Sequence, residues 1–140
     1  RVITDVSTFM NALINLGLNA AHAMNNVGTL RVQTETLSIK LEPPHINTLG
    51  LTSGSYVKLS VSDTGCGIGP QELPHIFEPF YTTKERGEGT GLGLANLDQF
   101  MTRSGGAITV KSVLGEGTRF ELYFPISPEY AREAFTSPVP

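Results

Sequence analysis

Between Ser7 and Met24 the apolar residues Phe9, Leu13, Leu16, Ala20 and Ala23 recur at steps of three and four, the spacing of a helix that buries one face. Asp5 or Ser7 suits its N-cap, and Asn25 and Asn26 with Gly28 suit its end. The period then shortens to two. "TLRVQTETLSIKL" alternates through Leu30, Val32, Thr34 and Thr36 and predicts a strand, with room to turn into a second one. "EPPHINTLGLTSG", residues 42–54, is broken by Pro and Gly and reads as a connecting loop. "SYVKLSVSD" alternates at Val57, Leu59 and Val61 and predicts a half-buried strand that ends at Asp63. A short helix is expected after Pro70 and a longer one from Gly91 to Arg103, then two strands, "AITVKSV" and "TRFELYFP", joined by the turn "LGEG". "SPEYAREAFTSPVP" predicts one or two helical turns and a tail, and no internal repeat is present. Helices and strands in alternating blocks predict one sheet with helices packed on one face, an α/β sandwich.

Composition sets the frame for function. With 140 residues the chain has the size of one ordinary domain, and 39% hydrophobic against 16% charged residues is the balance of a globular protein. The net charge of −3 and the lack of any Lys/Arg cluster argue against a nucleic-acid partner. Cys66 is the single cysteine, so no internal disulfide is possible, and a reducing, cytoplasmic setting is expected. No apolar run approaches the roughly 20 residues of a membrane span, and there is no signal-peptide layout. The chain opens on the already extended, apolar "RVITD", as a domain cut from a longer protein would.

Three stretches carry candidate chemistry. Asn11, Asn15 and Asn19 sit four residues apart, with His22 and Asn26 continuing the row along one side of the first helix. Asparagine is a mediocre helix former, so the row is either a solvated face or a pocket wall whose amide oxygens meet a hard cation such as magnesium. Ile14, Leu18 and Ala21 flank it and leave little of the helix for water, which favours the pocket. In "VSDTGCGIG" a carboxylate, Asp63, ends an apolar strand before Gly65, Gly67 and Gly69. That pattern fits a plain turn, an aspartic-protease loop that would need a second chain for its partner carboxylate, or a pocket in which the carboxylate accepts the exocyclic amine of adenine. "GEGTGLGL" places Gly87, Gly89, Gly91 and Gly93 ahead of a helix start, where free N–H groups favour phosphate, although its spacing is neither Walker A nor GxGxxG. Lys84 and Arg86 stand just before it and read equally as phosphate partners or as solvated charges.

Together "ALINLGLNAAHAM", "VSDTGCGIG", "IFEPFYTTK", "GEGTGLGL" and "GEGTRFELYFP" resemble, in order and spacing, the ATP-binding catalytic domain of sensor histidine kinases in the GHKL superfamily. The resemblance covers about Val2 to Pro125 and implies an α+β fold, a two-layer α/β sandwich of a mixed five-stranded sheet against three helices. The catalytic domain is then expected over residues 1–126, with 127–140 a tail or the start of a linker. The resemblance also implies Mg-ATP as cofactor and transfer of the γ-phosphoryl group to a histidine, for relay to the receiver domain of a response regulator. Asn19 matches the magnesium-coordinating asparagine, and Asn15 the one a turn earlier, near the phosphates; with Lys84 they are the implied catalytic set. Asp63 matches the adenine-binding aspartate, Gly65 and Gly67 the glycines of the base pocket, and Thr118 the threonine that supports it. Phe77 and Phe80 match an aromatic anchor for a nucleotide lid, which Thr82, Thr83 and Lys84 open; by themselves the two phenylalanines read as core. Gly89, Thr90, Gly91, Leu92 and Gly93 match the segment that closes over the phosphates, so the glycine run is expected to be mobile without nucleotide.

Superfamily ATPases carry a glutamate at the place of Asn15 to activate water, whereas an amide cannot take a proton, so the resemblance favours a kinase over an ATPase. A module that binds ATP without transferring it is the alternative of another class. None of His22, His45 and His75 precedes an acidic residue as the family's acceptor does. The acceptor is therefore expected on a separate helical-hairpin dimerisation domain of a homodimeric parent, and residues 42–54 resemble an insert of nitrogen-regulator-like and hybrid kinases.

Overall fold

The computed structural model describes residues 6–39, 50–81 and 93–126. Helix α1 (Val6–Ala23) is followed by strands β1 (Leu30–Ile39) and β2 (Gly54–Asp63), a single 3-10 turn at Leu73–His75, helix α2 (Gly93–Arg103), and strands β3 (Ala107–Val113) and β4 (Gly117–Pro125). The strands form one sheet in the order β1-β2-β4-β3, and all three pairings are antiparallel. The expected mixed five-stranded sheet and three helices are thus corrected, among the described residues, to four antiparallel strands, two α-helices and a 3-10 turn. A mixed sheet needs a parallel pair, and each described pair runs antiparallel. The third helix shrinks to one 3-10 turn, in which the His75 N–H donates to the Glu72 carbonyl at 2.9 Å. The extended "RVITD", the loop segment 40–49 and the helical turns expected after Pro125 lie outside the described residues.

Alternation decides which side of the sheet is buried. Leu59 and Val61 of β2 and Phe120, Leu122 and Phe124 of β4 point to the helical layer, where Ala12 and Leu16 of α1 and Leu97, Phe100 and Met101 of α2 meet them. Phe124 is held from both helices: its ring lies 5.4 Å from that of Phe9, edge-on, and 6.4 Å from that of Phe100. The opposite face is polar. There Glu121 is buried among Lys58, Lys111 and Arg119, with its carboxylate also accepting from the Tyr123 hydroxyl at 3.0 Å. Burial raises the Glu121 pKa, but the Tyr123 bond and Lys111 outweigh it and hold the carboxyl below the ordinary glutamate value; burial and the Glu121 bond raise that of Tyr123.

Helix α1 ends as its sequence suggests. Asn25 and Asn26 take left-handed backbone conformations, φ 52° and 63°, which asparagine tolerates better than most side chains, and the Asn26 N–H closes on the Ala21 carbonyl at 2.9 Å. Strand β1 pairs with β2 along ten residues without turning into a second strand. Its alternation is real but its inward side is not covered: Leu30 and Val32 remain largely exposed. No helix among the described residues is long and apolar enough to cross a membrane.

Candidate functional site

The site grows from the end of β2. Asp63 is the last residue of that strand, and its side chain turns back on the chain: Oδ1 accepts the Gly65 N–H at 2.8 Å and the Thr118 N–H at 3.3 Å. One oxygen therefore ties together the loop after β2 and the start of β4, two segments 55 residues apart. The Thr118 hydroxyl lies 2.7 Å from Ser112 Oγ, which also accepts the Ile68 N–H at 2.7 Å. Asp63, Ser112 and Thr118 are consecutive polar positions on the helix-facing side of β2, β3 and β4, below the apolar core. Sequence reasoning brought Asp63 and Thr118 forward and missed Ser112. The signal was present: Ile108, Val110 and Ser112 alternate, and a polar residue continues the inward series.

The loop 64–69 is clamped between α1 and the β3–β4 turn. The Cys66 N–H donates to the Ala23 carbonyl at 3.0 Å, and the Cys66 carbonyl accepts from the Gly115 N–H at 2.8 Å. At Gly65 an added Cβ would stand 2.7 Å from the carbonyl carbon and oxygen of Ala23. At Gly67, with φ of 76°, it would run into the Val113 carbonyl. Both glycines are required by the fold itself, because the loop passes too close to its neighbours for any side chain. The C-terminal end of α1 thus lies against the loop that Asp63 orients.

The other asparagines follow up the helix. Asn19 and Asn15 are half-buried and Asn11 is exposed. Asn15 faces the start of α2: a Cβ on Gly93 would stand 3.3 Å from Asn15 Cγ. The amide row therefore leads from the Asp63 loop to Gly93, where α2 begins among the described residues, and the positive dipole end of a helix is suited to phosphate. From that meeting point an open cleft of about 420 Å³ continues between the helices, with Asn11, Asn15, Asn96, Gln99 and Arg103 among its walls. The flanking residues differ from expectation. Ile14 and Leu18 are 54% and 52% exposed, so the side of α1 beyond the asparagine row faces outward; the buried stripe is Ala12, Leu16 and Ala20.

The two aromatic anchors separate. Phe77 packs against the core, as its sequence reading allows, but Phe80 is 73% exposed with φ of 68°, a conformation costly for a bulky side chain. Phe80 does not join the core. Thr82, Thr83, Lys84, Gly89, Thr90, Gly91 and Leu92, with the mobility expected of the glycine run, lie outside the described residues.

Against known proteins, residues 4–128 match the family described as "Histidine kinase-, DNA gyrase B-, and HSP90-like ATPase". The chain is 37% identical over 124 residues to sensor kinase CckA of Brucella abortus, which spans 89% of this chain and 13% of the relative. It is 37% identical over 127 residues to sensor histidine kinase ZraS of Escherichia coli K12, 91% of this chain and 23% of the relative. The chain therefore spans less than a quarter of either protein. Among solved structures, the catalytic domain of histidine kinase ThkA superposes with a TM-score of 0.65 at 30% identity, over 90% of this chain and 71% of that one. A mycobacterial sensor histidine kinase, MprB, superposes with the same TM-score at 29% identity, over 89% and 76%.

Proposed function

This chain belongs to the histidine kinase-, DNA gyrase B- and HSP90-like ATPase family, and from that premise we propose that it holds Mg-ATP and donates the γ-phosphoryl group to a histidine on a separate helical hairpin, for relay to a response-regulator receiver domain. The observation that carries the nucleotide reading is the fixation of Asp63. With Oδ1 engaged by two backbone N–H groups, Oδ2 is presented in a set direction as an acceptor for the exocyclic amine of adenine. The base end of the site then lies beside Ala23 and the loop 64–69, and the phosphate end lies where Asn15 meets Gly93.

The residues fit a magnesium ion of the kind that travels with a triphosphate. Among the described residues no three His, Cys, Asp or Glu side chains converge as a metal site, while Asn15 and Asn19 offer amide oxygens along one side of α1. Such an ion takes most of its ligands from phosphate and water, and one amide oxygen from Asn19 suffices. When bound it neutralises charge on the phosphate oxygens. The chain's own part is to orient the base through Asp63, position the triphosphate along the amide row, and offer the N-terminal dipole of α2 to the transferring group. An imidazole nitrogen forms the new N–P bond as the bond from phosphorus to the β–γ bridging oxygen breaks. ADP leaves with that electron pair, and the imidazole gives up its N–H proton.

Asn15 bears on the alternative of hydrolysis. Its amide accepts no proton from water, so water attack lacks a base at this position. Lys84, Thr83 and the run Gly89, Thr90, Gly91 and Leu92 are proposed to complete the phosphate side. The deciding experiment supplies the chain with ATP, magnesium and an acceptor-histidine hairpin as a separate chain. Labelling of the hairpin that is acid-labile and base-stable is expected, with no self-labelling and little free phosphate. Prompt phosphate release without a hairpin would favour an ATPase, and tight ATP binding with no transfer would favour a sensing module.

A further inference from the structure

Ser112 follows Ile108 and Val110 on the inward side of β3, yet in place of an apolar side chain it brings a hydroxyl that is engaged on three sides. It accepts the Ile68 N–H at 2.7 Å, donates to the Gly117 carbonyl at 3.0 Å and lies 2.7 Å from the hydroxyl of Thr118, its cross-strand partner. Asp63 and Ser112 therefore share the work on the same two segments. Asp63 takes the N–H groups of Gly65 and Thr118, while Ser112 takes the N–H of Ile68 and meets the side chain of Thr118. The loop 64–69 is tied near each end, and Thr118 is held by its backbone from one side and by its hydroxyl from the other.

The protons in this network can be counted. A serine hydroxyl has one proton and two lone pairs, and a carbonyl only accepts, so the bond to Gly117 uses the Ser112 proton. With the Ile68 N–H on one lone pair of Ser112, the contact to Thr118 closes as a hydrogen bond with Thr118 as the donor. Thr118 is 6% exposed, so its hydroxyl has little bulk water to turn toward. Its proton is spent on Ser112, and its oxygen keeps lone pairs alone. Asp63 Oδ2 is an acceptor as well, and the two residues are already joined through the Thr118 N–H. A purine with an exocyclic amine brings a donor to such an edge, and one with a carbonyl in its place brings an acceptor. We propose that Ser112 is a positioning residue for base choice: by taking the Thr118 proton it keeps Thr118 an acceptor beside Asp63 and so favours the amino purine. This rests on the nucleotide site proposed above and extends it to a residue outside the motifs that pointed there.

The test compares ATP with inosine triphosphate, which has a carbonyl in place of the amine, by titration calorimetry in magnesium. The parent is expected to prefer ATP. Ser112→Ala frees the Thr118 proton to turn toward a carbonyl, and the preference is expected to fall about fivefold or more. Ser112→Thr keeps a hydroxyl in a strand position and is expected to hold the parent's preference. Thr118→Val should lower the preference too, and adding Ser112→Ala to it should change the ratio no further, since the two side chains act as one unit. General loosening of the loop would weaken both nucleotides by one factor and leave their ratio alone. Such a common factor in Ser112→Ala, or a ratio that Thr118→Val does not move, would overturn this proposal alone. The Thr118→Val readout stands even where Ser112→Ala does not fold. A parent that binds the two nucleotides equally, or binds neither, would overturn the nucleotide reading and this proposal with it.

Discussion

Replacing Asp63 by asparagine separates the two tasks of one carboxylate. Oδ1 accepts the Gly65 N–H at 2.8 Å and the Thr118 N–H at 3.3 Å, and an asparagine carbonyl in the same place accepts both. The loop 64–69 then stays tied, and the amide NH₂ falls where Oδ2 was. An acceptor aimed at the exocyclic amine of adenine becomes a donor facing a donor. Loss of one charge-assisted hydrogen bond in a partly buried site costs roughly 1.5–3 kcal/mol, which is about 10- to 150-fold in affinity. Titration calorimetry should show ATP affinity falling by that factor in Asp63→Asn, with the unfolding midpoint in urea nearly unchanged. Asp63→Ala makes the contrast, since it also removes the acceptor for the Gly65 N–H and should lower stability by about 1–3 kcal/mol besides. Discrimination against GTP should be present in the parent chain and weakened in Asp63→Asn, because guanine presents a carbonyl where adenine presents its amine. Equal affinity of the parent for both nucleotides, or an Asp63→Asn variant that binds ATP as tightly as the parent, would refute the assignment.

Gly65→Ala should lose about 1–3 kcal/mol in urea unfolding, because the new methyl meets the Ala23 carbonyl at 2.7 Å; an unchanged midpoint would show that the loop yields freely. Asn19→Ala should lose the magnesium-dependent part of ATP affinity and keep the part measured in EDTA, whereas Asn11→Ala, exposed at the far end of the row, should alter neither. Glu121→Gln tests the polar face of the sheet. The Tyr123 bond and Lys111 hold the folded Glu121 below its ordinary value of 4.5, so its contribution is complete above that pH and is lost as the pH falls through the lower folded value. The parent's thermal midpoint should therefore drop with acid across that window, and the glutamine variant should start lower and lose less of it.

The strands were legible because β2 and β4 alternate apolar with polar residues, while the outward face of α1 was not. The face of α1 read from periodicity, Phe9, Leu13, Leu16 and Ala20, is the one that meets the sheet, but the helix also carries a second apolar row, Met10, Ile14 and Leu18, whose exposure its residue types do not announce. The glycines show a similar ambiguity. Room for a flat base and room for a neighbouring backbone leave the same mark in a sequence, and at Gly65 and Gly67 the structure gives the second reason, contact with Ala23 and Val113. Asp63 and Thr118 lie too far apart in the chain for any local pattern to join them, and only the resemblance to a family did so. What ties them is a backbone N–H, invisible in residue types. The loop after β2 and the start of β4 thus share one carboxylate oxygen. The second oxygen is left aimed by the first, and this makes Asp63, rather than any glycine beside it, the residue on which nucleotide choice should turn.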